Sequence, residues 1–184
     1  MKTMEELLDV LDENGLKTGQ VLPRKQVHKE GLWHRVVLIA IIDDENRILP
    51  QQRSANKDKN SNKWDFITGG HIGAGQDSVS AAVREINEEV MISLGHNVHV
   101  RDFRYMFTYR EQERVSENYM DRQYFDFFVL RKREIDISKI IFQESEVQAI
   151  DLVDIGELSN RIKSGGFIDR PEVFEVLANY LFRV

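Results

Sequence analysis

The 184-residue chain contains no cysteine. That excludes a disulfide framework, a thiolate zinc site and a cysteine nucleophile. Long apolar runs are also missing. The longest, Val36–Ile42 (VVLIAII), is far too short to cross a bilayer. The N-terminus, MKTMEELLDVLDENG, is acidic and has no secretory apolar region, so a cytoplasmic location and no membrane partner are expected. An excess of positive charge is absent too: net charge is -6 and pI about 5.4. A chain held on nucleic acid mainly by phosphate contacts is thereby disfavoured, and no stable nucleic-acid partner is expected. No internal repeat, low-complexity stretch or strong linker interrupts the chain. A single domain over 1–184 is expected, with 1–30 as an N-terminal extension or hairpin.

What is present is an ordinary globular composition, 41% hydrophobic and 30% charged, in a chain long enough to bury a core. Val36–Ile42 is continuously apolar and rich in β-branched residues, as expected of a strand covered on both faces. Leu7–Val10 and Thr18–Leu22 flank the turn signal DENG and predict a hairpin. Ile48–Arg53 reads as a strand, with Pro50 favouring an edge or bulge. Trp64–Ile67 reads as a short strand and Thr68–Gly75 (TGGHIGAG) as a glycine-rich loop. Val98–Tyr109, Gln123–Arg131 and Val147–Val153 are further strand candidates. Two helices close the chain, near Ile155–Ser164 and Pro171–Phe182, with Pro171 suited to a first turn. This pattern predicts one sheet packed between helices.

The glycine-rich loop leads into a predicted helix, Asp77–Val90, started by Asp77 or Ser78 as cap. Val79, Val83, Ile86 and Val90 recur at helical spacing and predict the buried stripe, with Ala82 beside it. Glu85, Glu88 and Glu89 stand at i, i+3 and i+4, so their carboxylates crowd together, mostly off that stripe. A solvated acidic face is the simplest reading of such a cluster. Its position counts against that reading, because acids near a helix C-terminus oppose the dipole. A divalent cation reverses the penalty. Carboxylates suit hard ions such as Mg²⁺ or Mn²⁺, which take phosphate oxygens as further ligands. Backbone groups of Gly69, Gly70, Gly73 and Gly75, where no side chain intervenes, are candidates to face a phosphate or the metal.

Together, GGHIGAGQDSVSAAVREINEEVMI (Gly69–Ile92) resembles the Nudix box. The family pattern is G, five residues, E, seven residues, then R-E-U-x-E-E-x-G-U, with U a bulky aliphatic. Gly70, Arg84, Glu85, Ile86, Glu88, Glu89 and Ile92 match it over 70–92; Gln76 stands where glutamate is expected and Met91 where glycine is expected. The resemblance implies an α+β Nudix fold, a mixed β-sheet sandwiched between helices (α/β/α). It implies a metal site at Glu85, Glu88 and Glu89, joined by the Gly69 carbonyl. Glu85 is implied to orient or deprotonate the attacking water, and Arg84 to brace the carboxylates. The reaction implied is metal-assisted hydrolysis of a phosphoanhydride, in a small phosphorylated molecule such as a nucleoside diphosphate derivative. Because family members are often dimers, a homodimer is implied as well.

A second resemblance covers LDVLDENGLKTGQVLPRKQVHKEGLWHRVVLIAII, which is similar to the Nudix branch containing isopentenyl-diphosphate isomerase. It places His28, His34 and His71 near that enzyme's metal-binding histidines. Gly69 stands where the isomerase has its cysteine, and Asp121 and Gln123 replace a pair of glutamates. Isomerase-like ancestry with hydrolase chemistry is therefore expected. The alternatives are a non-catalytic nucleotide-binding Nudix domain, kept open by Gln76 and Met91, and the isomerase itself. On the substrate side, Arg24, Lys25, Arg35, Arg53, Lys57, Lys59 and Lys63 precede the box. Arg53 is the first choice for a phosphate contact, with Gly70 and His71 in the loop. Trp33, Trp64, Phe66, Tyr105, Phe107 and Tyr109 are candidates to stack a base, although core packing is the commoner role for each. Glu146 is a further candidate acid.

Overall fold

The computed structural model describes residues 5–57, 59–89, 98–117, 119–142 and 144–182, with the side chains of Glu88 and Glu89 outside that description. The strands β1 (Leu7–Leu11) and β2 (Lys17–Pro23) pair antiparallel. Between them the Asp12 carboxylate accepts from the amides of Asn14 (2.8 Å) and Leu16 (2.9 Å), closing the turn locally. A short helix α1 (Arg24–Glu30) follows and ends at Gly31, whose φ of 63° suits a left-handed cap. The long strand β3 (Trp33–Asp43) comes next. Its residues Val36–Ile42 are at most 6% exposed, as their unbroken apolar run predicts.

The remaining elements are β4 (Gln51–Arg53), β5 (Trp64–Asp65), β6 (Thr68–His71), α2 (Ser78–Glu89), β7 (Phe103–Ser116), β8 (Tyr119–Lys132), β9 (Val147–Ile150), α3 (Ile155–Lys163) and α4 (Pro171–Leu181). The main sheet runs β2-β1-β3-β8-β7, with β6 also pairing β3, and a smaller sheet runs β5-β4-β9. β3 and β8 are parallel; β6 and β7 run antiparallel to their partners, so the sheet is mixed.

Alternate side chains of β3 and β8 feed two cores. Val37, Ile39, Ile41, Phe128 and Leu130 pack under α2, against Ala81, Ala82 and Ile86. Val36, Leu38, Ala40, Phe127 and Val129 pack on the other face with Leu158 of α3 and Val173, Leu177 and Leu181 of α4. A mixed sheet lies between helices, as the α+β reading expected. The stripe of α2 differs in detail: Ala81 and Ala82 are fully buried and Val83 only half-buried, because small residues let the helix seat closely on the sheet.

Two local expectations are corrected, and one helix lacks a sequence signal. Thr68–His71, read as loop, is a strand in register with Val36–Ile39. Glycine permits it, since a β carbon on Gly69 would overlap the Val37 carbonyl. The hairpin of β7 and β8 extends well beyond the expected strands. Its outer part, Arg110–Ser116, is exposed except for half-buried Val115, so it carries no alternating apolar signal. The helix α1 had no sequence signal either: seven residues with one buried side chain, Val27, are too few for a periodicity.

Candidate active site

A cavity of about 1100 Å³ opens along the edge of β6. Arg24 of α1 lines it, with Arg53, Lys57, Lys59 and Lys63 from β4 and the loop after it. Gly69, Gly70 and His71 of β6 line it as well, and so do Arg84 and Glu85 of α2. The sequence-predicted residues Arg53, Gly69, Gly70, His71, Arg84 and Glu85 therefore share one cavity. Among the expected box residues, the side chains of Glu88 and Glu89, and Val90, Met91 and Ile92 entirely, lie outside the described residues.

Glu85 is only 7% exposed, so for this residue a solvated acidic face does not hold. Asp77 caps the helix that carries it, its carboxylate accepting from the Ser80 amide at 2.9 Å. Arg84 Nη2 donates to the His71 carbonyl at 2.8 Å and lies 2.8 Å from Glu85 Oε1. One guanidinium thus ties the start of the loop to the acid. Gly70 completes the seat: a β carbon there would overlap the Glu85 carboxylate. That contact gives the glycine at the head of the box a steric reason.

Three imidazoles meet in a cluster, two of which, His28 and His71, line the same cavity as Glu85. His28 comes from α1, His34 from β3 and His71 from β6. His28 Nε2 lies 3.2 Å from His34 Nε2 and 3.3 Å from His71 Nε2, and the ligand atoms of all three fall within 4.8 Å of one another. Each outer nitrogen has a neighbour: the Leu32 carbonyl at 3.1 Å from His34 Nδ1, the Tyr119 hydroxyl at 2.9 Å from His28 Nδ1, and a Glu6 carboxylate oxygen at 3.9 Å from His71 Nδ1. Rings that turn Nε2 inward and engage Nδ1 outward are the usual arrangement of metal-binding histidines. Asp121 Oδ1, buried and without a hydrogen-bond partner among the described residues, lies 3.9 Å from Nε2 of both His28 and His34. An orphaned carboxylate oxygen beside three converging nitrogens fits a divalent cation. Nitrogen-rich ligation favours Zn²⁺-like ions over Mg²⁺.

Burial pushes His28 and His34 down to about 4, the charges of neighbouring His34 and Arg24 adding for His28 and Arg24 for His34. Burial first, then Arg24, holds His71 well below the ordinary histidine value. All three are neutral at pH 7, the state in which imidazole binds metal. Unfolded histidines protonate near 6.5, so as pH falls the unfolded chain takes up protons first. The resulting stabilisation is fully present above about pH 6.5 and is lost towards about pH 4. Urea midpoints of the metal-free protein should fall across this window, and by less in His34→Ala. Midpoints that stay level between pH 7 and pH 4.5 would contradict this.

Arg53, expected on phosphate, directs Nε and one Nη to the Lys59 carbonyl, both at 3.3 Å, and so folds the basic loop back on itself. Lys57 pairs with Glu146 and Lys59 with Glu113. None of the six aromatic residues expected to stack a base lines the cavity; its described aromatic residues are Tyr119 and Phe125. Phe66 is buried in the core, and Trp64, Phe107 and Tyr109 pack against it, because their strand positions face α3 and α4. Tyr119 carries no sequence signal of its contact with His28. It lies ninety-one positions from His28 and no local spacing links them.

No helix among the described residues is long and apolar enough to cross a membrane. Residues 32–173 match the NUDIX domain family. Nudix hydrolase 3 of Arabidopsis thaliana is 32% identical over 160 residues, covering 85% of this chain and 20% of that protein, so this chain spans about one fifth of that relative's length. An isopentenyl-diphosphate Delta-isomerase of Serratia proteamaculans is 33% identical over 90 residues, 49% of this chain and 50% of that protein. The crystal structure of DR0079 from Deinococcus radiodurans has the same fold, with a TM-score of 0.68 at 18% identity and coverage of 93% of this chain and 97% of that one. With a glycine seated on the box glutamate, an arginine bracing it, and a domain match over most of its length, this chain belongs to the Nudix hydrolase family.

Proposed function

We propose that the chain hydrolyses a phosphoanhydride bond in a nucleoside diphosphate derivative. The observation that carries this reading is Glu85, a buried carboxylate braced by Arg84 in a cavity that six further lysine and arginine side chains line. The donor set suits Mg²⁺ or Mn²⁺ at Glu85 and the Gly69 carbonyl, with Glu88 and Glu89 added by the family pattern, and a second cation at His28, His34, His71 and Asp121. Such cations neutralise charge on diphosphate oxygens and make a bound water more acidic.

The chain's own residues supply the rest. Lys63 brings positive charge to a polyanion, Arg24, Lys57 and Lys59 do so in exchange for their partners Glu6, Glu146 and Glu113, and Arg53 shapes the loop that presents the lysines. Glu85 orients the attacking water and accepts its proton, while Arg84 keeps the carboxylate facing the cavity.

The histidine cluster favours a second reading, isopentenyl-diphosphate isomerisation. Against it, the chain has no cysteine, and Asp121 and Gln123 stand in place of the two glutamates. A panel of nucleoside diphosphate derivatives with Mg²⁺ separates these readings. Release of nucleoside monophosphate or phosphate is expected. Tight binding without turnover across the panel points instead to a nucleotide sensor. Turnover of isopentenyl diphosphate without phosphate release overturns the hydrolase reading in favour of the isomerase.

A further inference from the structure

The three rings of the histidine cluster are not held alike. His34 Nδ1 faces the Leu32 carbonyl at 3.1 Å, and a carbonyl only accepts. The His34 proton is therefore fixed on Nδ1, and its Nε2 lone pair is fixed inward. That single lone pair has two neighbours, His28 Nε2 at 3.2 Å and the side-chain amide of Gln123 at 3.3 Å. His28 is different. Its Nδ1 faces the Tyr119 hydroxyl at 2.9 Å, and a hydroxyl can donate or accept. The two rings also stack, with centroids 5.0 Å apart and planes at 23°, so the hydroxyl is well placed beside Nδ1.

Two proton arrangements are open to His28. In one, Nε2–H donates to the His34 lone pair at 3.2 Å and Tyr119 donates to Nδ1. In the other, the ring proton sits on Nδ1, Tyr119 accepts it, and the Nε2 lone pair faces the His34 lone pair, so its partner is the His71 Nε2–H at 3.3 Å or a cation. Only the second can ligate a cation. The change moves one proton from Nε2 to Nδ1 and alters no net charge. We propose that Tyr119 is a positioning residue for the histidine cluster, its hydroxyl reversing from donor to acceptor so that His28 Nε2 becomes a metal ligand. The inference rests on the reading that His28, His34 and His71 hold a divalent cation.

The experiment is titration of the full chain with Zn²⁺, following heat, and ¹⁵N shifts of the labelled histidines with and without Zn²⁺. In the wild type, His28 should carry its proton on Nδ1 once Zn²⁺ is bound. Tyr119→Phe keeps the stacked ring and removes only the hydroxyl, so Zn²⁺ affinity should fall about 10- to 100-fold, as for loss of other partners that orient metal ligands. The variant's His28 should also show mixed tautomers, which a merely structural role for Tyr119 would not produce. His34→Ala should abolish binding. Equal Zn²⁺ affinity in wild type and Tyr119→Phe overturns the role of Tyr119, as does a wild-type His28 that keeps its proton on Nε2 in the loaded protein. If the wild type binds no Zn²⁺, or if His34→Ala binds normally, the three-histidine site itself fails and the inference falls with it.

Discussion

Glu85→Gln should lower turnover of a nucleoside diphosphate derivative by about 10²–10⁴, the range typical of removing a positioned acid or base. The substitution keeps the shape and an acceptor for Arg84, which now lies 2.8 Å from Glu85 Oε1. The seat against Gly70 stays filled as well. What is lost is the negative charge, and with it both the proton acceptor and an anionic oxygen for a cation. The loss should fall mainly on kcat, with a smaller change in KM, because the basic residues of the cavity are untouched. Steady-state kinetics with Mg²⁺ in excess, together with a circular dichroism spectrum unchanged from wild type, provide the check. A variant within threefold of wild type would remove Glu85 from the chemistry and move the search for a base to other acids of the cavity.

Asp65→Ala should cost about 3–5 kcal/mol of stability, the usual consequence of leaving one member of a buried ion pair alone. Asp65 is 3% exposed and receives Arg170 through Nη2 at 3.1 Å and Nε at 3.3 Å. Arg170 stands immediately before α4, and the neighbouring chain is stitched to β5 by Trp64 N to the Gly166 carbonyl (2.8 Å) and Ile168 N to the Trp64 carbonyl (2.8 Å). The pair therefore fixes the C-terminal helices to the strand that enters the cavity. Urea denaturation measures the loss. Asp65→Ala combined with Arg170→Met should recover part of it, since the orphaned charge is then gone. A single-variant cost below about 1 kcal/mol, or no recovery in the double variant, would show that the pair is not what anchors α4.

How legible these features were differs by residue. Val36–Ile42 reads correctly because a strand covered on both faces needs an unbroken apolar run, a property of consecutive residues. Arg84 and Glu85 are legible for a similar reason: the box is one segment whose fixed spacing survives in sequence. The burial of Glu85 is not legible, because it depends on Gly70 crossing above α2 in a strand the sequence presents as loop. The long outer hairpin of β7 and β8 is not legible either, since an exposed ribbon held by backbone hydrogen bonds needs no apolar alternation.

The sequence by itself determined the family and where its box lies, because both depend on contiguous spacing. It also excluded thiol chemistry, because the chain has no cysteine. The isomerase-branch resemblance groups His28, His34, His71 and Asp121, but only the tertiary structure decided how their atoms meet, and that Tyr119 stands at the outer nitrogen of one ring. Those residues come from a short helix and three strands. Their meeting depends on the parallel pairing of β3 with β8, which sets His34 opposite Gln123, and on the antiparallel pairing of β6, which sets His71 opposite Val36. Register between distant strands is fixed by the packing of whole sheets, and no short stretch of chain records it.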